Sequence, residues 1–124
     1  MLTVEVDNRS GVTVDEAAAV ELARRVLAGE GVESGELGIA FVGAEEMRTL
    51  KRDHLGIDEA TDVLSFPIDK RDALPDGVPR QLGDAVLCPD VLGDEWHAAL
   101  VHGLLHLLGH DHGPAMEERE RRWR

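Results

Sequence analysis

Four histidines lie within eleven residues near the end of the chain, in the leucine-rich stretch HGLLHLLGHDH that runs from His102 to His112. The apolar pattern predicts a helix for the first part of this stretch. His102 and His106 are four residues apart, so on a helix their rings are about 40° apart in azimuth and about 6 Å apart along the axis. Both imidazoles could therefore bind one metal ion.

A glycine divides the stretch and indicates how a third histidine could join the pair. Gly109 can adopt the left-handed conformation that ends helices, and the reversed chain could then bring His112 towards the same ion. The pattern H-x-x-x-H-x-x-G-x-x-H has the spacing of metzincin proteases, except that Gly103 stands where they have a glutamate. We therefore predict a metal site formed by His102, His106 and His112.

Three imidazoles with an open fourth position are typical of a catalytic zinc site, because structural zinc sites are closed by four protein ligands. Zn²⁺ is therefore the predicted cofactor, although such a site also accepts nickel, cobalt or copper. The structural alternative is that these histidines only pack, partly buried, on an amphipathic helix. A single histidine would favour that alternative, and three at this spacing around a glycine favour the metal.

Two neighbours and one missing residue complete this prediction. Asp111 is predicted to orient a ligand imidazole or the turn, and His110 is an alternative ligand to His112. The glutamate that takes a proton from water in zinc proteases is absent, because Gly103 occupies its position. Either the substrate or another residue supplies the base, or the reaction is not peptide hydrolysis. A zincin-type peptidase or other amide hydrolase remains an alternative.

The rest of the sequence predicts a single α+β domain over residues 1–124, with a mixed four-stranded sheet, helices and a zincin-like metal helix. A capping box from Thr13 to Glu16 predicts the start of the first helix, and Gly29 predicts its end. The last helix carries Glu and Arg at i,i+4 spacing and is predicted to be solvated and ion-paired. Strands are predicted at 2–7, 37–43, 61–67 and 82–89, and helices at 13–29, 44–56, from 89 or 94 to 108, and at 115–124.

The bulk composition limits location and partners. The chain has 124 residues, a net charge of −12 and one cysteine, Cys88, which predicts a reducing, cytoplasmic environment. The N-terminus resembles no signal peptide, and no run reaches the roughly 18 apolar residues of a membrane span. The negative charge disfavours non-specific binding to nucleic acid, so an RNA partner would need a local basic patch. The candidates for that patch are Arg48, Lys51, Arg52, Lys70, Arg71 and Arg80.

Three segments of the chain resemble the YbeY family of bacterial rRNA-maturation endoribonucleases: VHGLLHLLGHDH, TDVLSFP and LGD. The metal pattern follows the TDVLSFP strand, as in that family. The resemblance spans most of the chain. It implies a mixed sheet with helices and a zinc-like ion held by the three matched histidines. It also implies cleavage of single-stranded RNA, in 3′-end maturation of small-subunit ribosomal RNA and in ribosome quality control. The implied partners are RNA and the small ribosomal subunit, and DNA is not expected as a partner.

The family often has an arginine at the position of Leu55, where it contacts phosphate or takes part in catalysis. We predict that Arg52, three residues earlier on the same helix face, takes this role, and that Asp111 is the other catalytic residue, through the orienting contact described above. The alternative for Arg52 is a solvated surface position. A further alternative for the whole protein is a non-catalytic ribosome assembly factor whose metal ion is mostly structural.

Overall fold

The computed structural model describes residues 2–55, 63–70, 72–110 and 113–123. Within them the chain forms four strands, five α-helices and one 3₁₀ turn. The strands are β1 (Leu2–Asn8), β2 (Gly35–Phe41), β3 (Val63–Pro67) and β4 (Gln81–Leu87). The helices are α1 (Glu16–Gly29), α2 (Ala44–Leu55), α3 (Pro89–Leu92), α4 (Trp96–Leu107) and α5 (Pro114–Trp123), and the 3₁₀ turn is Gly93–Glu95.

The four strands form one mixed sheet in the order β1-β2-β4-β3. Strands β1, β2 and β4 are parallel, and β3 is antiparallel to β4. Parallel neighbours need long crossover connections, which the intervening helices and loops supply. The predicted α+β class with a mixed four-stranded sheet is confirmed.

The helices lie on both faces of the sheet. Helices α1 and α4 share the larger apolar core with alternate residues of β2 and β4. Helix α2 lies on the other face, where Met47 packs with Leu64 and Val86. Successive residues of β3 divide between these faces, since Leu64 faces α2 while the Ser65 hydroxyl donates to the Gly103 carbonyl of α4 at 3.0 Å. The sheet therefore separates α2 from α4.

Two predicted helix boundaries are wrong. The N-cap of α1 is Asp15, whose carboxylate accepts from the Ala18 amide at 3.0 Å, and not Thr13. Of the two starts predicted for the long helix, the one at about 89 is wrong, because α3 ends before Gly93, which has φ +53°. The start at about 94 is close to that of α4, which begins at Trp96 after the 3₁₀ turn. In the described ranges, every helix is too short or too polar to cross a membrane.

Candidate metal centre

Helix α4 fixes the position of the two histidines because the other faces of the helix are buried. Its apolar residues pack against α1 and the sheet, while His102 and His106 are only partly buried. His97 is exposed and its ring lies 3.8 Å from that of Trp96, away from the pair, as the helical spacing predicts. The buried residues of α4 are Ala99, Leu100, Val101, Gly103, Leu104, Leu105 and Leu107.

The imidazoles of His102 and His106 converge. Their ring centroids are 4.6 Å apart and the rings are nearly perpendicular, at 79°. The two Nε2 atoms are 3.1 Å apart. Two nitrogen ligands of one tetrahedral zinc, each at about 2.0–2.1 Å from the metal, have a similar separation of about 3.3 Å.

The second nitrogen of each ring, Nδ1, faces an oxygen acceptor. His106 Nδ1 donates to the His110 carbonyl at 2.9 Å, and His102 Nδ1 lies 2.5 Å from Glu120 Oε1. Carbonyl and carboxylate oxygens only accept, so Nδ1 carries the proton in each ring. In the neutral rings both Nε2 lone pairs are then directed at the same space, where they repel each other unless a cation or a proton lies between them.

This arrangement fits a divalent metal ion. Ligand histidines in metal sites characteristically donate their second nitrogen to a carboxylate or a backbone carbonyl, and this pair has one of each. Among residues 2–55, 63–70, 72–110 and 113–123, no set of three His, Cys, Asp or Glu side chains could hold a metal. The predicted third ligand, His112, and the predicted orienting carboxylate, Asp111, lie outside the described residues.

The backbone turns after α4 as the sequence predicts. Gly109 has φ +91°, and its amide donates to the His106 carbonyl at 2.9 Å. The His110 amide then donates to the Leu105 carbonyl at 3.1 Å. These two bonds end the helix and place the His110 carbonyl beside His106 Nδ1. His110 thus serves His106 through its backbone, while its side chain is directed elsewhere, at Glu30.

The structure explains the glycine at position 103. Gly103 faces the sheet, where a Cβ atom would lie 3.1 Å from Val63 Cγ2 and 3.2 Å from Ser65 Oγ. Such distances are tighter than ordinary contacts, so a larger side chain would require Val63 and Ser65 to move by a few tenths of an ångström. A zincin-type glutamate would be crowded at this position, because α4 packs closely on the sheet at Gly103.

Helix α5 contributes a residue that the sequence prediction missed. Its outer face is exposed as predicted, but Glu120 is turned inward to His102, with 17% of its side chain exposed. Trp123 lies over Gly29 of α1, where a Cβ atom would overlap the indole. The prediction of a purely solvated, ion-paired helix is therefore wrong for the inner face. The buried Met116 and the partly buried Trp123, two turns apart, were the available signal.

A groove of about 270 Å³ runs beside His102 and is lined by both apolar and acidic side chains. Its lining residues are Val63, Leu92, Glu95, Ala98, Ala99, His102 and Glu120. A larger groove of about 530 Å³ lies on the α2 face of the sheet and includes His54 and Phe66, but neither His102 nor His106. Of these two grooves, only the smaller is lined by one of the two histidines, His102.

The predicted basic residues that the structure describes do not form one surface. Arg52 is on α2, across the sheet from the histidines, with 54% of its side chain exposed and 3.8 Å from Asp53. Arg80 is engaged by the loop, since it donates to the carbonyls of Lys70 and Asp72 at 2.8 and 2.9 Å. Lys70 lies at the end of α4, where a Cβ atom on Gly109 would be 3.8 Å from Lys70 Cδ. Arg71 lies outside the described residues.

Comparisons with known proteins agree on one family. A family profile described as Endoribonuclease YbeY matches residues 5–123. Proteins named Endoribonuclease YbeY from Salinispora tropica and Beutenbergia cavernae are 38% and 43% identical to this chain. Each alignment covers 96% of this chain, and 88% and 89% of the respective relative.

The fold is also similar to the solution structure of TM1509 from Thermotoga maritima, with a TM-score of 0.64 and 20% sequence identity. The match covers 99% of this chain and 86% of that one. At this identity the likeness concerns the arrangement of helices and strands.

Proposed function

Because the chain belongs to the endoribonuclease YbeY family, we propose that it is a metal-dependent endoribonuclease that cuts single-stranded RNA. The name shared by the relatives supports the reaction class. The metal dependence is supported by one observation on this chain, the 3.1 Å approach of His102 Nε2 and His106 Nε2.

His102, His106 and His112 would hold the ion, with Zn²⁺ as the expected metal and nickel or another divalent metal as substitutes. A bound divalent ion would stabilise negative charge on a phosphodiester and favour the ionised form of water at neutral pH. Glu120 and the His110 carbonyl keep the two described ligand rings in the tautomer that presents Nε2. Asp111, next to His112, is proposed to orient that third ring or the turn.

RNA would be held mainly through its phosphates. The chain has two Trp, two Phe and no Tyr, which leaves few rings for base stacking. Trp96 is one of these rings, and it packs against Phe41 in the core, with their centroids 6.2 Å apart. Lys70, beside the end of α4, is the described cation best placed for a phosphate near the histidines. Arg52 remains a predicted phosphate contact, which a strand of RNA would reach by passing around the β3 edge.

The more specific biological role also belongs to this proposal. We assign the enzyme to 3′-end maturation of small-subunit ribosomal RNA and to ribosome quality control, with the small ribosomal subunit as its partner. The proposed location is the cytoplasm, and the buried, unpaired thiol of Cys88 is compatible with a reducing compartment.

The central experiment measures metal content and RNA cleavage on the same preparation. The wild-type protein is expected to contain about one equivalent of divalent metal and to cut a labelled single-stranded RNA but not its duplex form. Chelation should stop cleavage, and His106→Ala should abolish both metal binding and cleavage. His97→Ala, on the same helix but away from the pair, is the matched control and should change neither.

Two outcomes would replace this proposal. Hydrolysis of a peptide library without RNA cleavage would favour an amide hydrolase. Co-sedimentation with small ribosomal subunits that His106→Ala leaves intact, in a protein that cuts no RNA, would favour a non-catalytic assembly factor.

A further inference from the structure

Glu30 is the one charged residue with a buried position in the part of the chain that the structure describes, and its side chain is 0% exposed. It follows the last turn of α1, and its amide donates to the Val26 carbonyl at 2.9 Å. A carboxylate without access to water is costly unless charged or hydrogen-bonded partners compensate it. The identity of those partners therefore indicates what Glu30 holds in place.

Among the described residues, three side chains from the last part of the chain converge on this carboxylate. Arg119 Nη1 lies 2.7 and 2.9 Å from its two oxygens, and Trp123 Nε1 donates to Oε2 at 3.3 Å. His110 Nε2 is 3.3 Å from Oε1. Burial raises the pKa of Glu30, but the hydrogen bond from Trp123 and the charge of Arg119 together have the larger, opposite effect. The pKa is therefore below its ordinary value, and the carboxyl is ionised at neutral pH.

Two of these partners adjoin the groups that orient the metal ligands. Arg119 immediately precedes Glu120, which lies against His102 Nδ1. The His110 side chain packs against Glu30, with Nε2 3.3 Å from Oε1 but without a hydrogen bond, and its own carbonyl accepts from His106 Nδ1. The buried carboxylate of Glu30, at the end of α1, is thus next to both acceptors of the ligand rings. It reaches Glu120 through Arg119, and it contacts the side chain of the residue that supplies the other acceptor, the His110 carbonyl.

We propose that Glu30 is a positioning residue of the metal site, which holds α5 and the segment after α4 so that both ligand imidazoles keep their acceptors. In this role Glu30 acts through Arg119 and His110 and is not itself a metal ligand. This inference deepens the proposed function and rests on it, since it requires that His102 and His106 bind a metal.

The test compares Zn²⁺ affinity and metal geometry in two variants of α1. Glu30→Gln keeps the size of the side chain and removes its charge, which weakens its hold on Arg119 and His110. Its Zn²⁺ affinity, measured by competition with a chromophoric chelator, should fall by about 10-fold or more, as for other groups that orient ligand histidines. The visible absorption of the Co²⁺-substituted protein should also change, because the ligand rings lose their fixed orientation.

Asp15→Ala is the matched control, because it removes the cap at the opposite end of the same helix. It should lower stability and leave both the Zn²⁺ affinity and the Co²⁺ spectrum unchanged. If Glu30→Gln does not fold, Arg119→Gln provides the same test from the partner, whose side chain is 40% exposed.

The outcomes separate this inference from the proposed function. Wild-type affinity and an unchanged Co²⁺ spectrum in the folded Glu30→Gln or Arg119→Gln protein would overturn the inference, because Glu30 would then merely fasten α5. If His106→Ala abolishes metal binding in the same series, the proposed metal site stands despite that result. A wild-type protein that binds neither Zn²⁺ nor Co²⁺ would overturn both.

Discussion

Glu120 Oε1 lies 2.5 Å from His102 Nδ1, although the two residues are 18 positions apart and belong to different helices. A carboxylate in this position selects the tautomer of the ring and restricts rotation of the imidazole. The metal centre is therefore built by α5 as well as by α4.

Replacing Glu120 is expected to weaken metal binding without unfolding the protein. Glu120→Gln can still contact the ring but carries no charge, so Zn²⁺ affinity should fall by about 10- to 100-fold. Chelator competition measures this change. Glu118→Gln, an exposed carboxylate on the same helix, is the control and should bind Zn²⁺ like the wild type. Equal affinity in both variants would mean that the contact with His102 does not tune the ligand.

Introducing the zincin glutamate at position 103 is expected to destabilise the protein and to create no peptidase. Gly103→Glu forces a carboxylate against Val63 and Ser65, where even a Cβ atom is crowded. Overpacking costs about 1–3 kcal/mol, and an unpaired buried charge adds to this loss. Urea denaturation and a peptide-hydrolysis assay test the two statements. Wild-type stability would show that α4 can move away from β3 at little cost.

A lysine beside the end of α4 is expected to contribute to RNA affinity. Lys70→Ala should weaken binding of single-stranded RNA and reduce the slope of log affinity against log salt by about 0.7, the value of one phosphate contact. Fluorescence anisotropy at several salt concentrations measures both effects. Arg48→Ala removes an exposed cation from α2, across the sheet, and should have the smaller effect. The reverse order would place the RNA on the α2 face.

Acid should remove a stabilising contribution of Glu30. Its pKa lies below the ordinary 4.5, because Trp123 and Arg119 outweigh the effect of burial. A carboxyl with a lowered pKa stabilises the folded state above the pKa of the unfolded state, and this contribution is lost as pH falls through the folded pKa. His110 also faces Glu30, so the comparison begins at about pH 5, below the usual titration range of histidine.

Between about pH 5 and about pH 3, the free energy of unfolding should therefore fall less in Glu30→Gln than in the wild type. Denaturant titrations at each pH measure the difference. Glu21→Gln, an exposed carboxylate on α1, should retain the wild-type pH dependence. Parallel curves for Glu30→Gln and the wild type would contradict the lowered pKa.

The corrected N-cap of α1 can be tested directly. Asp15→Ala removes the acceptor of the Ala18 amide and should cost about 1 kcal/mol of stability. Thr13→Ala, at the position that the sequence pattern favours, should cost much less, because Thr13 is exposed and precedes the helix. Denaturation by urea distinguishes them, and a larger loss for Thr13→Ala would restore the capping box.

Much of the fold was predictable because its signals are local. Alternation and helical periodicity located the strands and α1, α2 and α4, and the four-residue spacing predicted that His102 and His106 share a face. The family suggested by the sequence motifs is confirmed by the profile match over residues 5–123. The assignment of His102, His106 and His112 as zinc ligands remains a prediction.

The supporting groups could not be predicted, because their contacts join distant parts of the chain. Glu30 meets Arg119 across 89 positions, and neither residue belongs to a pattern with a fixed spacing. The choice between Thr13 and Asp15 as the cap likewise depends on the backbone at each residue, since both types accept from helix amides. Periodicity identifies which face of α5 is polar, but not which polar residue finds a partner.

The glycine at the end of α1 illustrates how context changes the value of a residue. An alanine at Gly29 would favour an isolated helix by up to about 1 kcal/mol. In the folded protein its methyl group would displace the Trp123 indole, which packs directly against the backbone of Gly29. A more stable isolated α1 would therefore come at the expense of the tertiary contact between α1 and α5.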